Sequence, residues 1–336
     1  MPPMQYRRMG SSGLKVSAIA LGSLWFGNKV DEPAAHRIVD RAVEAGVNCV
    51  DTADIYGKDR WDTPKRGPAE EIVGRVLKGR RESLVLTTKV AAVTGPGAND
   101  RGLNRKHLRQ GLEQSLRRLQ TDYVDIYYLL EPDYTTPLEE SLDTLNDFVR
   151  EGKVLYLGLS NFYAWQVCKA LWHTDKKGMA GIDCVQLVYS LVARDCEVEM
   201  TRLCEAEGVG INVWGALAGG MLSGKYLAYD PTKPPPAGVK PYPSTWDPRY
   251  FAAVSRLKEI AGGRSLSQFA LAWMLRQPVV SSVVCGVSSV EQLEENLGAL
   301  DLDLTAEDLA ACDEVWKALH PPPTMFYARG YGIDFG

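Results

Sequence analysis

The stretch VDIYYLLEPD, residues 124–133, is an apolar run that stops at a proline flanked by two acidic residues. Short apolar runs that end at turn residues are typical of strands buried on both faces. The chain shows this pattern eight times, with segments of helical spacing between the runs. The runs are SAIALG (17–22), CVDTA (49–53), LVLTTKV (84–90), YVDIYYL (123–129), VLYLGLS (154–160), CVQLVY (184–189), INVWG (211–215) and SVVCGV (282–287).

The segments between the runs are predicted to be amphipathic helices. AAHRIVDRAVEAG ends at Gly46 as a helix stop, and NRKHLRQGLEQSLRRLQ opens with Asn104 as an N-cap. Such a helix supplies the crossover that a parallel neighbouring strand needs. Eight strand–helix units therefore predict an α/β fold, a single-domain (β/α)8 TIM barrel over residues 1–336. A doubly wound sheet is the alternative, which the lack of a GxGxxG motif after the first run disfavours.

The composition is that of an ordinary globular protein, with 45% hydrophobic and 24% charged residues. A net charge of −4 gives no case for nucleic acid or an anionic membrane as a partner. No run approaches the roughly 18 apolar residues of a membrane span, and we expect no secretory signal. The seven cysteines never form a CxxC pair, which predicts free thiols in the reducing cytoplasm. Without a cysteine–histidine cluster, we expect no transition metal.

Two segments depart from the repeat, and both are expected at the barrel mouth. The connection after the seventh run is rich in proline and glycine, and residues 227–247 are predicted to form a lid or a mobile loop. The tail, residues 320–336, carries aromatic residues without helical periodicity. We expect it either to cross the barrel mouth or to have no fixed structure.

The C-terminal ends of the strands carry the active site in (β/α)8 enzymes, and three residues there are candidates: Asp51, Tyr56 and Lys89. Asp51 and Lys89 are charges within apolar runs, and buried charges are rarely unpaired, so we expect them to pair. A salt bridge that only ties two strands together is the alternative interpretation. A hydroxyl beside a buried ammonium has a lowered pKa, because the positive charge favours the phenolate. Tyr56 could then exchange a proton near neutral pH.

Six motifs follow one another along nearly the whole chain: VDTADIYG, TTKV, GLSNF, VQLVYSL, GGMLSGKY and GVSSVEQLEENLGAL. Together they resemble the aldo-keto reductase superfamily. The resemblance implies a hydride transfer to or from a carbonyl or alcohol, in which Tyr56 donates or accepts the proton. It also implies that Lys89 lowers the pKa of Tyr56 and that Asp51 orients Lys89.

The resemblance further implies NADP(H), bound in extended form along the strand ends without a Rossmann fold. The nicotinamide end would be held by Ser160, Asn161, Gln186 and Trp214. The pyrophosphate and adenosine would be held by Gly215, Leu217, Gly219, Lys225, Gly286, Ser288, Gln292, Glu295 and Asn296. NAD(H) is the alternative, because Gly286 and Ser288 stand where many relatives have lysine or arginine.

The loops after the first, second and seventh runs, together with the tail, would build the substrate pocket. The predicted substrate contacts are Trp25, Trp61, Glu131 and Trp246. Trp61 lies among charged residues in KDRWDTPKRGP (58–68), and aromatic platforms beside such groups suit a sugar or glycosylated small molecule. A solvated charged rim is the equal alternative. The family includes monomers and larger rings, so a homo-oligomer stays open.

One position departs from the family pattern. The family carries a catalytic histidine at the end of the fourth strand, in a pattern close to His-x-Pro-Asp, where this chain has Leu130-Glu131-Pro132-Asp133. Leu130 thus replaces the histidine. The histidines of the chain lie in predicted helices and in the tail, at His36, His107, His173 and His320. Losing one donor aimed at developing oxyanion charge typically costs about 10²–10³ in rate.

Leu130 leaves three interpretations open. The first is an NADP(H) enzyme adapted to a substrate that does not need the histidine, including an activated C=C bond reduced with help from Glu131. Strand alternation turns Glu131 to the other face unless Pro132 re-aims it. The second is a weakly active nicotinamide-cofactor-binding module, as the family's potassium-channel beta subunits suggest. The third is a histidine-to-leucine variant made to disable an ordinary aldo-keto reductase.

Overall fold

Eight parallel strands close into a barrel in the computed structural model, which describes residues 3–57, 67–235 and 246–319. A two-stranded hairpin, β1 and β2, precedes them, and the barrel order is β10-β3-β4-β5-β6-β7-β8-β9. The strands are β1 (Tyr6–Arg8), β2 (Lys15–Ser17), β3 (Ile19–Gly22), β4 (Cys49–Asp51), β5 (Val85–Val90), β6 (Val124–Leu129), β7 (Val154–Ser160), β8 (Cys184–Val188), β9 (Gly210–Trp214) and β10 (Val280–Gly286). The predicted (β/α)8 fold is confirmed. Each of the eight predicted runs matches one barrel strand to within two residues at either end.

The helices surround the barrel, with side-chain caps where the sequence predicts them. Asn104 caps its helix by accepting a hydrogen bond from the backbone N–H of His107 at 2.9 Å, and Gly46 takes the left-handed φ of 88° just past the first helix. The helices are α1 (Glu32–Glu44), α2 (Pro68–Val76), α3 (Arg105–Leu119), α4 (Leu138–Arg150), α5 (Ala164–Lys177), α6 (Met200–Glu207), α7 (Pro248–Ala261), α8 (Leu266–Leu275), α9 (Val290–Leu297) and α10 (Ala306–Leu319). None of the helices in the described ranges is both long and apolar enough to cross a membrane.

The hairpin of β1 and β2 was not predicted from the sequence. Its strands are three residues each, YRR and KVS, and carry no apolar run that would indicate them. Met9 and Val16, both 0% exposed, pack among side chains at the N-terminal starts of the barrel strands, such as Cys49 and Val85. The hairpin therefore closes the N-terminal end of the barrel and leaves the C-terminal end for the site.

Strand β6 shows the two-residue alternation that places its tip. Ile126 and Tyr128 belong to the inner cluster of the barrel, whereas Tyr127 and Leu129 pack outward against the helices. The Tyr128 hydroxyl accepts a hydrogen bond from the Asn212 side chain at 2.7 Å. Tyr127, Tyr128 and also Tyr189 are buried core residues.

The cysteines are free thiols, as predicted. Five of the seven are buried. Burial raises the pKa of the Cys285 thiol to about 12, so this group stays protonated at neutral pH. Three sequence predictions fall wholly or partly outside the described residues: the 58–68 insertion with Trp61, residues 236–245 of the 227–247 lid, and the 320–336 tail.

Candidate active site

Asp51 is the last residue of β4, Lys89 is the last but one of the neighbouring strand β5, and the two side chains pair inside the barrel. The Lys89 Nζ lies 2.7 Å from Asp51 Oδ1 and 2.6 Å from Oδ2, and it also donates to the carbonyl of Thr52 at 2.8 Å. The Lys89 side chain is 0% and that of Asp51 3% exposed. The pairing predicted from the two apolar runs is therefore present in the structure.

The Asp51 carboxylate also accepts hydrogen bonds from two uncharged side chains. Thr87 Oγ1 donates to Oδ1 at 2.7 Å and Gln186 Nε2 donates to the same oxygen at 2.8 Å. Burial alone would lower the pKa of Lys89, but the charges of Asp51 and Tyr56 and hydrogen bonds to both outweigh it, so its pKa is raised. Lys89 is therefore a fixed positive charge at neutral pH.

Tyr56 lies in the loop after β4, beside this charge. The Lys89 Nζ is 5.1 Å from the centroid of the Tyr56 ring. The loop depends on glycines, because a Cβ on Gly67 would collide with the Tyr56 carbonyl oxygen, and Gly57 adopts a φ of 114°. The sequence IYG thus turns sharply at the strand end and brings the phenol over the Lys89–Asp51 pair.

Leu130 follows β6 directly. Its backbone N–H donates to the Val90 carbonyl at 2.9 Å, and its half-buried side chain packs against the same hydrophobic cluster as Trp25 and Tyr56. Glu131 is exposed one residue further on. The described histidines all lie in helices: His36 in α1, His107 in α3 and His173 in α5. Among the described residues, therefore, no imidazole stands at a strand end.

Asn161 connects three strand ends around the mouth. Its backbone has the left-handed φ of 61°, which is uncommon for a residue other than glycine. Its amide nitrogen donates to the Leu130 carbonyl at 2.8 Å and to Ser160 Oγ at 3.1 Å, and its amide oxygen accepts from Trp214 Nε1 at 3.0 Å. The four residues predicted to hold a nicotinamide are thereby close together, since the backbone N–H of Asn161 also donates to the Gln186 carbonyl at 2.9 Å.

The loop after β9 forms a cradle of left-handed backbone. Gly215, Ala218, Gly219 and Gly220 have φ values of 74°, 47°, 64° and 90°. A Cβ on Gly220 would come within 2.7 Å of the Lys225 Nζ, so this ammonium lies directly over the loop. Successive peptide groups of this kind, with a lysine above them, are suited to phosphate oxygens. Leu217 precedes the short helical turn in this loop.

The start of α9 lies past the end of β10. Ser289 caps the helix, and the Gln292 side chain accepts hydrogen bonds from the backbone N–H and the hydroxyl of Ser288 at 2.8 and 3.0 Å. Glu295 accepts from Ser265 Oγ and from Gln268, which ties α9 to α8, and Asn296 is buried. The predicted adenosine residues thus line one helix, with Gly286 exposed before it.

The predicted substrate residues are distributed around the mouth. Trp25 follows β3 and stacks under Lys29, whose Nζ is 4.1 Å from the ring. Trp246 donates to the Lys233 carbonyl at 2.7 Å and packs against Phe251, with ring centroids 5.1 Å apart. This contact anchors the long loop after β9. The role of both tryptophans toward a substrate stays a prediction, as does that of Glu131.

Asp133 is a residue that sequence reasoning did not single out. It accepts hydrogen bonds from the backbone N–H of Leu103 at 2.8 Å and from the hydroxyls of Thr135 and Thr136 at 2.6 and 2.7 Å. Although burial would raise it, these bonds lower the pKa of Asp133 to about 2. Asp133 therefore ties the loop after β5 to the loop after β6, three residues past Leu130 in the chain.

The Asp51–Lys89 cluster and the glycine-rich cradle both lie at the C-terminal ends of the strands of a (β/α)8 barrel. The Aldo/keto reductase family model matches residues 18–317 of the chain. The chain belongs to the aldo/keto reductase family, whose members generally use nicotinamide cofactors.

Three relatives are alike over almost the whole chain. A probable voltage-gated potassium channel subunit beta from Arabidopsis thaliana is 36% identical over 310 residues, 89% of this chain and 92% of the relative. A protein from Bacillus subtilis (strain 168) named uncharacterized oxidoreductase YrpG is 35% identical over 323 residues, covering 93% and 96%. A probable voltage-gated potassium channel subunit beta from Oryza sativa subsp. japonica is 36% identical over 310 residues, covering 89% and 92%.

Proposed function

We propose that this protein is an NADP(H)-dependent oxidoreductase that transfers hydride to or from a carbonyl or alcohol, with Tyr56 as proton donor and acceptor. The observation that carries the proposal is the buried Lys89–Asp51 pair at 2.6 Å, with the Tyr56 ring 5.1 Å from the ammonium. A proton donor held beside a fixed positive charge is what carbonyl reduction needs.

In this proposal, one group of residues controls the transferred proton and another binds the cofactor. Asp51 fixes Lys89, and the Lys89 charge favours the phenolate of Tyr56 after its proton has left. Ser160, Asn161 and Trp214 present one face of the nicotinamide to the substrate. The nicotinamide supplies or accepts the hydride when bound, and Tyr56 supplies or accepts the proton at the substrate oxygen.

The cradle after β9 supports nucleotide binding, whereas the choice between NADP and NAD has weaker support. Lys225 over the Gly219–Gly220 backbone offers charge to a pyrophosphate. Ser288 and Gln292 at the start of α9 are neutral, so a 2′-phosphate would be held there by hydrogen bonds. We propose NADP(H), with NAD(H) as the alternative. Titration of both nucleotides by tryptophan fluorescence distinguishes them, and equal affinities would remove the preference.

A Tyr56→Phe substitution tests the proposed chemistry. It removes the hydroxyl and keeps the ring over Lys89, so carbonyl reduction should fall by about 10²–10⁴ while nucleotide affinity is retained. Reduction rates are measured as NADPH oxidation with a panel of aldehydes, ketones and enones. Unchanged turnover in the phenylalanine variant would assign the proton to another group.

A weakly active cofactor-binding module is the second candidate. Leu130 at the β6 tip favours it, as do the relatives named as potassium channel beta subunits. Turnover at ordinary enzymatic rates, about 1 s⁻¹ or more, with any member of the panel would exclude this candidate. NADPH oxidation that occurs only with the enones would instead support C=C reduction. A large gain for every carbonyl on restoring Leu130→His would support a disabled ordinary reductase.

We further propose a sugar or glycosylated small molecule as substrate and a cytoplasmic location. The free thiols at all seven cysteines support a reducing compartment. Charged residues around Trp61 support a polyhydroxylated substrate, although that segment lies outside the described residues. Light scattering of the purified protein measures its mass in solution and so determines whether it forms a homo-oligomer.

A further inference from the structure

A cavity of about 970 Å³ lies at the N-terminal end of the barrel, the end away from the Asp51–Lys89 cluster. Its lining comes from β1, from the first residues of β9 and β10, from the end of α8 and from the segment after α9. Its volume is in the range of about 300–1,000 Å³ that small-molecule sites in proteins occupy. The cavity is therefore large enough to hold a ligand.

Arg7 lines this cavity with a half-buried side chain that forms no ion pair with a carboxylate of the described residues. Its guanidinium donates to the Val280 carbonyl at 2.9 Å and to the Leu275 carbonyl at 2.5 Å. Since Leu275 is the last residue of α8, these bonds cap the helix. They leave three of the five N–H groups of the guanidinium available. Burial lowers the pKa of Arg7, because no anion offsets the loss of water around the charge.

The other charges of the lining do not compensate Arg7. Arg8, also in β1, is exposed and likewise forms no ion pair in the described part of the chain. Arg276 is paired with Asp303 at 2.8 Å, and Glu205 is exposed. Three arginines thus face two carboxylates around the cavity, which leaves an excess of positive charge. A partly buried charge of this kind is stabilised by an anion.

Ser281 adds a hydroxyl to the same lining. It lies near the start of β10 and is 4% exposed, and its hydroxyl forms no hydrogen bond with the described residues. Gly210, at the start of β9, leaves the space beside this hydroxyl open, because a Cβ there would come 2.9 Å from Ser281 Oγ. Buried hydroxyls are normally hydrogen-bonded. An oxygen of a ligand in the cavity would supply the missing partner.

A further part of the lining is apolar. It consists of half-buried side chains from the end of α8, the loop before β10 and the segment after α9: Leu275, Val279, Leu300 and Leu302. An apolar wall beside a few polar groups is the usual composition of a small-molecule site. The ligand that fits this lining has an anionic end and an organic body.

We propose that this cavity binds an organic phosphate, with the phosphate oxygens on Arg7, Arg8 and Ser281 and the organic part on the apolar wall. The number of donors favours a phosphate over a carboxylate, because a phosphate presents three oxygens and a carboxylate two. Guanidinium groups match the geometry of phosphate oxygens. This site is distinct from the cradle, which follows the other end of β9.

Isothermal titration calorimetry with phenyl phosphate tests the proposal, on the protein with and without saturating NADPH. We expect one site for phenyl phosphate in both cases, weaker binding of inorganic phosphate and benzoate, and no binding of phenol. Arg7→Gln should lower the affinity for phenyl phosphate by about 10–10²-fold, and Ser281→Ala by about 10-fold. Arg150→Gln is the control, because Arg150 is an exposed arginine of α4 outside the cavity lining, and it should keep the wild-type affinity.

Lys225→Met separates the cavity from the cradle, since it removes the ammonium above the cradle and should leave phenyl phosphate binding unchanged. A loss of binding in Lys225→Met would place the phosphate at the cradle and overturn the proposal. Wild-type affinity in Arg7→Gln and Ser281→Ala, or no binding of phenyl phosphate at all, would overturn it as well. Benzoate binding as tight as that of phenyl phosphate would remove the assignment of a phosphate. Ser281→Ala breaks no hydrogen bond of the described residues, so it decides the matter even if Arg7→Gln does not fold.

Discussion

Lys89 places its ammonium 2.6 Å from a carboxylate oxygen of Asp51, and both side chains are removed from water. Breaking such a pair from one side leaves a buried charge without compensation. We predict that Lys89→Met and Asp51→Leu each lower the free energy of unfolding by about 3–5 kcal/mol, and that the double variant loses less than the sum. Urea denaturation of the four proteins measures the coupling.

The exposed pair Lys317–Glu314, at 2.8 Å, is the matched control for this cycle. Its side chains are 61% and 72% exposed, so Glu314→Gln should change the free energy of unfolding by less than about 1 kcal/mol. Additive effects at Asp51 and Lys89 would contradict the interpretation of a coupled buried pair.

Asn161 is expected to combine a backbone role with a side-chain role, and two variants separate them. Asn161→Gly keeps the φ of 61° without strain but removes the bonds to Leu130 and Trp214, so the affinity for NADPH should fall. Asn161→Ala should weaken binding equally and in addition be less stable than the glycine variant by about 1 kcal/mol. Nucleotide titration and thermal unfolding report the two effects. Wild-type affinity in Asn161→Gly would show that the side chain does not serve the cofactor.

In the cradle after β9, we predict that one methyl group added at Gly220 weakens nucleotide binding selectively. Gly220→Ala adds a Cβ 2.7 Å from the Lys225 Nζ at a φ of 90°, so it should displace the ammonium and weaken NADPH binding. Gly152→Ala is the control, because Gly152 also has a left-handed φ, 71°, but a Cβ there meets nothing within 4 Å. Both variants should lose stability by about 1 kcal/mol. Equal nucleotide affinities in the two variants would argue against phosphate binding at the cradle.

Asp183 predicts a pH dependence of stability. Burial raises the pKa of this carboxyl to about 6, above its ordinary 3.8, while its Oδ2 accepts from the Leu157 backbone N–H at 2.9 Å. The folded state therefore favours the protonated acid. Its contribution is full below about pH 4 and is lost as the pH rises through 6, by at most about 3 kcal/mol.

Asp183→Asn isolates this contribution. The asparagine oxygen can still accept from Leu157, and its side chain does not ionise. Urea denaturation at several pH values between 4 and 7 should show a falling free energy of unfolding for the wild type relative to the variant. A constant difference across that range would mean that Asp183 titrates normally in the folded protein.

The barrel was predictable because its signal is local and repeated. Runs such as VLYLGLS (154–160) are apolar on both faces, and the observed β7 has the same bounds. The pairing of Asp51 with Lys89 followed from the cost of leaving either charge alone in an apolar strand. Both conclusions needed only neighbouring residues and a general rule on burial.

Other features depend on contacts that the linear pattern does not contain. The Gln186–Asp51 bond joins residues 135 positions apart, and Asn161 meets Trp214 across 53. The left-handed φ of Asn161 is set by those contacts, since a residue other than glycine seldom adopts it unaided. The hairpin at Met9 was missed because its strands are too short to show a period.

Asp133 has a consequence for laboratory evolution of this scaffold. Its carboxylate accepts hydrogen bonds from Leu103 in the loop after β5 and from Thr136 in the loop after β6. The two loops therefore depend on each other's sequence. In a library that varies either loop and also replaces Asp133, we expect most members to lose the contact between the two loops, so that few of them form a new, well-defined pocket. Recombination between relatives should therefore place its crossovers outside residues 103–136, so that both loops descend from the same parent.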